Sequence, residues 1–92
     1  MTRPASSRSP RYNTLKRHAL EIFERHGGWL NPPEWAVLAK FYPIRSSYSY
    51  LLRLHRFGLL DRISSDTGLN YRLSRRGRAR LDWLKHSSFV SE

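Results

Sequence analysis

Mostly apolar residues recur at helical spacing in the first third of the chain. They stand at i, i+4, i+7, i+8 and i+11, and are Leu15, Ala19, Ile22, Phe23 and His26. Because this period places them on one face, it predicts helix 1 over about Thr14–His26, with Asn13 as its cap. The Gly27-Gly28 pair then ends the helix, since glycine readily closes a helix C-terminus.

The strongest helix-start signal in the chain is the tetrapeptide Asn31-Pro-Pro-Glu34. Asn31 suits the N-cap, the first proline suits the first helical position, and Glu34 stands where a carboxylate completes a capping box. Helix 2 is therefore predicted over about Pro33–Phe41, and Pro43 is expected to end it. Its inner face is predicted to carry Trp35, Leu38, Ala39 and Tyr42.

A polar, basic segment with an apolar back follows and predicts helix 3 over about Ser46–Phe57, ended by Gly58. Leu51 and Leu54 are three residues apart and anchor the helix, and Tyr48 shares their side. Ser46 is expected to cap the helix. The opposite, outward face is predicted to carry Ser47, Tyr50 and Arg53.

Two short runs with strand character follow helix 3. Residues 59–64 alternate loosely between apolar and polar side chains, as in a strand, and residues 65–70 form a cluster of turn-favouring residues. Tyr71-Arg-Leu73 is then the return strand, so the segment predicts a β-hairpin. Ser74 is expected to cap a last helix over about residues 75–86, with Leu81 and Leu84 turned inward. The apolar pair Trp29-Leu30 predicts one further short strand. All three tryptophans, at positions 29, 35 and 83, are expected in the core, with a dimer contact as the alternative for Trp83 because it lies off the line of Leu81 and Leu84.

Two motifs at the right separation resemble winged helix-turn-helix domains of bacterial MarR-like and PadR-like transcription regulators. One is Leu51-x-x-Leu54-x-x-x-Gly58-Leu-Leu-x-Arg62, and the other is Tyr71-x-Leu-Ser-x-x-Gly77. The resemblance implies an α+β fold: a three-helix core with a short strand, a β-hairpin wing and a C-terminal helix. The domain is expected over residues 12–86, between a flexible basic arm (1–11) and a C-terminal tail (87–92).

The charge of the chain points to an anionic partner. The chain has seventeen Lys and Arg residues and seven Asp and Glu residues, which gives a formal net charge of +10. Fourteen of the seventeen basic residues are Arg. Arg presents a planar fork of donors that matches phosphates and the guanine edge. An anionic membrane is the competing partner, but no long basic amphipathic helix supports it. Nucleic acid is therefore the favoured partner.

In the family that the chain resembles, the third helix lies in the major groove of double-stranded DNA and the wing touches the adjacent backbone. Carried over by position, the groove-facing residues are Arg45, Ser46, Ser47, Ser49, Tyr50 and Arg53, and Arg56 lies near a phosphate. Wing contacts are expected from Arg62, Thr67, Asn70 and Arg72. The run at the start of the last helix adds phosphate contacts from Arg75 and Arg76. The wing tip departs from the pattern, because it carries Asp66 and no Lys or Arg between residues 63 and 71.

Other function classes find little support in the sequence. The chain has no cysteine, its four histidines lack metal-ligand spacing, and no nucleophile–base pair or phosphate-binding glycine loop is present. We therefore expect no enzyme, cofactor, metal or small-molecule ligand, and a cytoplasmic, nucleoid-associated protein. A protein-interaction module and an RNA-binding protein remain alternatives. A homodimer is expected, through apolar residues without a clear place in the core: Leu20, Trp83, Phe89 and Val90.

Overall fold

The described part of the protein is an α+β domain. A computed structural model describes residues 9–66 and 68–90, and the side chains of residues 13–66 and 68–86. Within these ranges, four helices and one two-stranded antiparallel hairpin follow in the order α1, α2, α3, β1, β2, α4. Their bounds are Ser9–His26 for α1, Pro32–Ala39 for α2, Ser46–Arg56 for α3, Leu60–Ser65 for β1, Gly68–Leu73 for β2 and Arg75–Val90 for α4.

Helix α1 is longer than the sequence predicts and is rotated about its axis. It begins at Ser9, so residues 9–11 of the expected arm are helical and Asn13 is not a cap; residues 1–8 lie outside the described part. Leu20 is fully buried, whereas Leu15 and His26 are exposed. The reason is that α1 packs against both α2 and α4, so its buried arc is centred between them. The expected contribution of Leu20 to a dimer interface is therefore wrong.

The capping box of α2 is confirmed. The Asn31 side chain accepts from the Glu34 amide at 2.8 Å, and the Glu34 carboxylate accepts from the Asn31 amide at 3.1 Å. The helix ends at Ala39 rather than at Phe41, and Lys40, in the left-handed conformation, caps it before Pro43 is reached. Leu38 and Tyr42 were expected on the inner face but lie 50% and 64% exposed, because the buried face of α2 is the one that carries Trp35, Ala36 and Ala39.

Trp35 occupies the centre of the core and joins α1 to α2. Its side chain is fully buried, its indole N–H donates to the Ala19 carbonyl at 3.2 Å, and its ring stacks on Phe23. The other two tryptophans correct the expectation that all three are buried. Trp29 is half-buried and Trp83 is 52% exposed.

The hairpin pairs β1 and β2 in register from Leu60↔Leu73 to Ser65↔Gly68. Leu30 forms an isolated bridge to Tyr71, with hydrogen bonds of 2.8 Å in both directions, so the predicted short strand is present as a single bridging residue. Tyr71, at 2% exposure, is held in the core by this bridge. Because Leu30 immediately precedes the α2 cap, the bridge fixes α2 relative to the hairpin.

Helix α4 begins as the sequence predicts. The Ser74 hydroxyl accepts from the Gly77 amide at 2.9 Å and donates to the Gly58 carbonyl at 2.6 Å, which ties the helix start to the end of α3. Leu81 and Leu84 are buried, as expected. The helix continues to Val90, so residues 87–90 of the expected tail are helical. Among the described helices, none combines the length and the apolar character that a membrane span requires.

Candidate nucleic-acid interface

The outward face of α3 is basic and polar. Arg45 immediately precedes the helix, and Ser49, Arg53 and Arg56 follow at spacings that bring them onto the solvent side; all four side chains are exposed. The opposite side is anchored by Leu51 and Leu54, which are 0% and 1% exposed, as the sequence predicts. A rigidly packed helix therefore presents three guanidinium groups and a hydroxyl to solvent.

The rotation of α3 removes two residues from the predicted contact set. Ser47 is fully buried, and its hydroxyl donates to the Ile44 carbonyl at 2.6 Å. Tyr50 is half-buried, and its ring stacks against Trp35 at 5.8 Å and Phe41 at 5.2 Å between centroids. The prediction that Ser47 and Tyr50 face outward is therefore wrong, because an aromatic cluster draws this side of the helix into the core.

The position of Tyr48 shows the same rotation of α3, because this residue moves from the predicted buried face to the solvent side. It was expected in the core, but it is 54% exposed. Ser46 is half-buried, and the helix has no side-chain cap, because Arg45 occupies the N-cap position in a helical conformation. The sequence carried a signal for Tyr48: it lies three residues after Arg45, a charged residue that is exposed, and so shares its side of the helix.

The arginines of α3 form no ion pair with any carboxylate in the part of the chain that the structure describes. Residues 35–60 contain no Asp or Glu. Within the described part of the chain, the ion pairs are Arg17–Glu21, Asp61–Arg72 and Glu24–Lys85, and none involves α3. Arg53 and Arg56 lie in the last turn, where the helix dipole favours positive charge. The positive field of this face is thus available to an external anion.

The hairpin contributes less than the sequence predicts. Arg62 is exposed. Arg72 is already engaged, because its guanidinium lies 4.6 Å from the centre of the Trp29 ring and 3.6 Å from the Asp61 carboxylate. The Asn70 amide donates to the Ser65 hydroxyl at 2.9 Å, so it holds the turn. Thr67 lies outside the described residues.

The arginines at the start of α4 fall on two sides of the helix. Arg75 and Arg78 are exposed and line a groove that also contains Glu24 and Asp61. Arg76 is exposed as well but packs against the Gly58 turn, in a second groove that it shares with Arg80. The two predicted phosphate contacts, Arg75 and Arg76, are therefore not brought together.

An exposed apolar surface lies at the junction of α2 and α3, and the sequence prediction missed it. Its members share high exposure despite their apolar or aromatic side chains: Val37, Leu38, Tyr42, Ile44 and Tyr48. Five exposed apolar or aromatic side chains within twelve consecutive residues make this segment a candidate interaction surface.

The described residues contain no group of three or more His, Asp or Glu side chains that could hold a metal ion. Comparisons with protein-family models, with curated proteins and with solved structures find no significant match to this chain. Functional inference therefore depends on the geometry of the site itself.

Proposed function

We propose that the chain is a winged helix-turn-helix domain. The order of elements supports this, because α2 and α3 are joined by residues 40–45 and the hairpin follows directly after α3. The bridge between Leu30 and Tyr71 adds a third, minimal strand to the hairpin, as a short strand before α2 would do in such a domain. In this arrangement α3 is the recognition helix and β1–β2 is the wing.

We further propose that the domain binds double-stranded DNA, with α3 in the major groove, and acts as a small transcription regulator. One observation carries this proposal: the solvent face of α3 presents Arg45, Arg53 and Arg56 with no counterion among the described residues, on a helix whose back is buried through Leu51 and Leu54. The net charge of +10 supplies the attraction to a polyanion at long range.

Within this proposal the residues of α3 take different roles. Arg53, between Ser49 and Arg56 on the exposed face, is the candidate for a bidentate contact to guanine, which contributes about 1–3 kcal/mol of discrimination between bases. Arg45 and Arg56, at the two ends, are placed to contact phosphates on either side of the groove. Ser49 is small and exposed, so it can approach a base edge or a phosphate.

Selection from a random duplex library, followed by gel shifts over a range of salt concentrations, tests the proposal. If about five phosphates are contacted, log K should fall against log salt with a slope of about −4 to −5. Arg53→Ala should reduce the preference for the selected site over random duplex by about 5- to 150-fold. Arg25→Ala removes the same charge from an exposed position on α1 and should leave that preference unchanged. A flat salt dependence would contradict the proposal.

A protein-interaction module is the second candidate function. It is favoured by the exposed apolar surface around Val37, Leu38, Tyr42 and Tyr48. Failure to bind either duplex DNA or RNA of matched sequence at low salt would favour this function over nucleic-acid binding. Preference for the RNA would redirect the proposal to RNA recognition.

The homodimer also stays a proposal. Of the four residues expected at its interface, Leu20 is in the core, and the side chains of Phe89 and Val90 lie outside the described part. Trp83, on α4, is the one at the surface. Two copies would read two half-sites about one helical turn apart, which is how many helix-turn-helix proteins reach specificity.

A further inference from the structure

A groove of about 750 Å³ lies between α1, the end of α3 and α4. Its walls carry two exposed guanidinium groups, Arg76 and Arg80, the ammonium side chain of Lys16, which is 8% exposed, and two aromatic rings, Phe57 and Trp83. None of the described residues that line it carries a carboxylate. Its volume is within the range of about 300–1,000 Å³ that is usual for small-ligand sites. The groove is therefore large enough for a small molecule and has the charge for an anionic one.

Each cation is held in place by a contact inside the groove. The Lys16 ammonium lies 5.7 Å from the centre of the Phe57 ring, and the Arg80 guanidinium lies 5.4 Å from the centre of the Trp83 ring. Arg76 packs against the Gly58 turn so closely that a Cβ at Gly58 would lie 3.1 Å from its side chain. Positioned charges bind an anion at a smaller entropic cost than freely moving ones.

The two aromatic rings of the groove are exposed and can contact a planar part of a ligand. Phe57 and Trp83 are 48% and 52% exposed, although both are large apolar side chains. Nucleobases stack on aromatic rings and on guanidinium planes alike. Trp83 with Arg80 beside it thus offers two stacking surfaces next to the cationic cluster.

We propose that this groove binds a single nucleotide unit, with its phosphate on Lys16, Arg76 and Arg80 and its base stacked on Trp83 or on the Arg80 guanidinium. A phosphate suits a cluster of three cations, and a planar base suits the exposed ring. The unit can come from two sources, a free mononucleotide or an unpaired nucleotide of a single strand. This second site does not require α3 to bind duplex DNA.

Isothermal titration of the full chain with four probes tests the proposal. The probes are thymidine 5′-monophosphate, a pentathymidylate strand, inorganic phosphate and benzoate. We expect one of two results: either the strand alone binds, or the strand and the mononucleotide both bind. In either case the binding should be at least tenfold tighter than that of phosphate or benzoate. Binding of the mononucleotide assigns a free nucleotide as the ligand, whereas binding of the strand alone assigns single-stranded nucleic acid.

Variants separate stacking from charge. Trp83→Ala removes a half-exposed ring, so it should weaken nucleotide binding by about 5- to 150-fold, the range for loss of one base–aromatic stack. It should weaken phosphate binding much less, because phosphate loses only the contact that positions Arg80. Arg80→Ala should weaken both. Arg78→Ala is the matched control, because it removes the same charge from the other side of α4 and should change neither. Circular dichroism confirms that each variant is folded.

Three results would overturn the proposal. One is nucleotide binding that is no tighter than binding of phosphate or benzoate. Another is strand binding that Arg53→Ala abolishes and Trp83→Ala does not, which would assign the strand to α3. The third is self-association that Trp83→Ala abolishes without any nucleotide binding, which would assign the groove to a second copy of the chain. Loss of duplex binding alone, with nucleotide binding intact, refutes only the proposed function.

Discussion

Substitution of Gly77 by alanine tests how tightly the start of α4 packs against the rest of the domain. A Cβ built on this residue would overlap the carbonyl oxygen of Leu59 and would lie 2.9 Å from the carbonyl carbon and 3.0 Å from Leu73 Cδ1. The same Leu59 oxygen accepts the Ser74 amide at 3.1 Å. Gly77→Ala must therefore push α4 away from the backbone that leads into β1.

The expected cost follows from two opposing terms. Alanine is favoured over glycine in a helix by about 0.5–1 kcal/mol. Overpacking a well-filled site costs about 1–3 kcal/mol, and the upper end applies here because the obstacle is main chain rather than a flexible side chain. The net loss is about 2 kcal/mol, which lowers Tm by about 8–16 °C in a domain of this size.

Thermal denaturation followed by circular dichroism measures this loss. Gly28→Ala is the control, since its Cβ would meet only the His26 ring, at 3.8 Å or more, and its φ lies outside the left-handed region. We expect that control to lie within about 1 kcal/mol of the parent protein, on the stabilising side. If Gly77→Ala were as stable as the parent, the close approach of α4 to Leu59 would be wrong, and so would the position of the groove beside it.

Three further predictions concern α3 and assembly. Leu54→Ala should destabilise the domain by about 2–5 kcal/mol in chemical denaturation, whereas Leu52→Ala, at a half-buried position, should cost less; the reverse order would mean that α3 is rotated differently. Ser47→Ala should cost about 1 kcal/mol of stability through its hydrogen bond to Ile44, yet leave duplex affinity unchanged in gel shifts; a large loss of affinity in the folded variant would return Ser47 to the contact set. Sedimentation equilibrium at micromolar concentration should show a homodimer, and a single species of 10.9 kDa at all concentrations would limit pairing to the DNA-bound state.

The sequence by itself determined the features whose stabilising contacts lie within a few residues. The capping box at Asn31 and Glu34 and the Ser74 cap depend on hydrogen bonds that span three residues, so their spacing is visible in the chain. The hairpin was predictable because its turn residues stand between two short runs with strand character, but Ser65 and residues 68–70, which were expected in the turn, pair as strand. Leu51 and Leu54 followed from helical period alone, and both are buried.

Only the tertiary structure decided which way each helix faces. Tyr48 and Tyr50 are equivalent by residue type, and Tyr50 is the one turned inward because Trp35 and Phe41, from α2 and the turn after it, offer a stack. Leu20 is buried because α1 packs against both α2 and α4. The groove with Lys16 and Trp83 joins residues 67 positions apart along the chain. Helical period defines an apolar arc, but the partner helices, which are distant in sequence, set the direction in which that arc points.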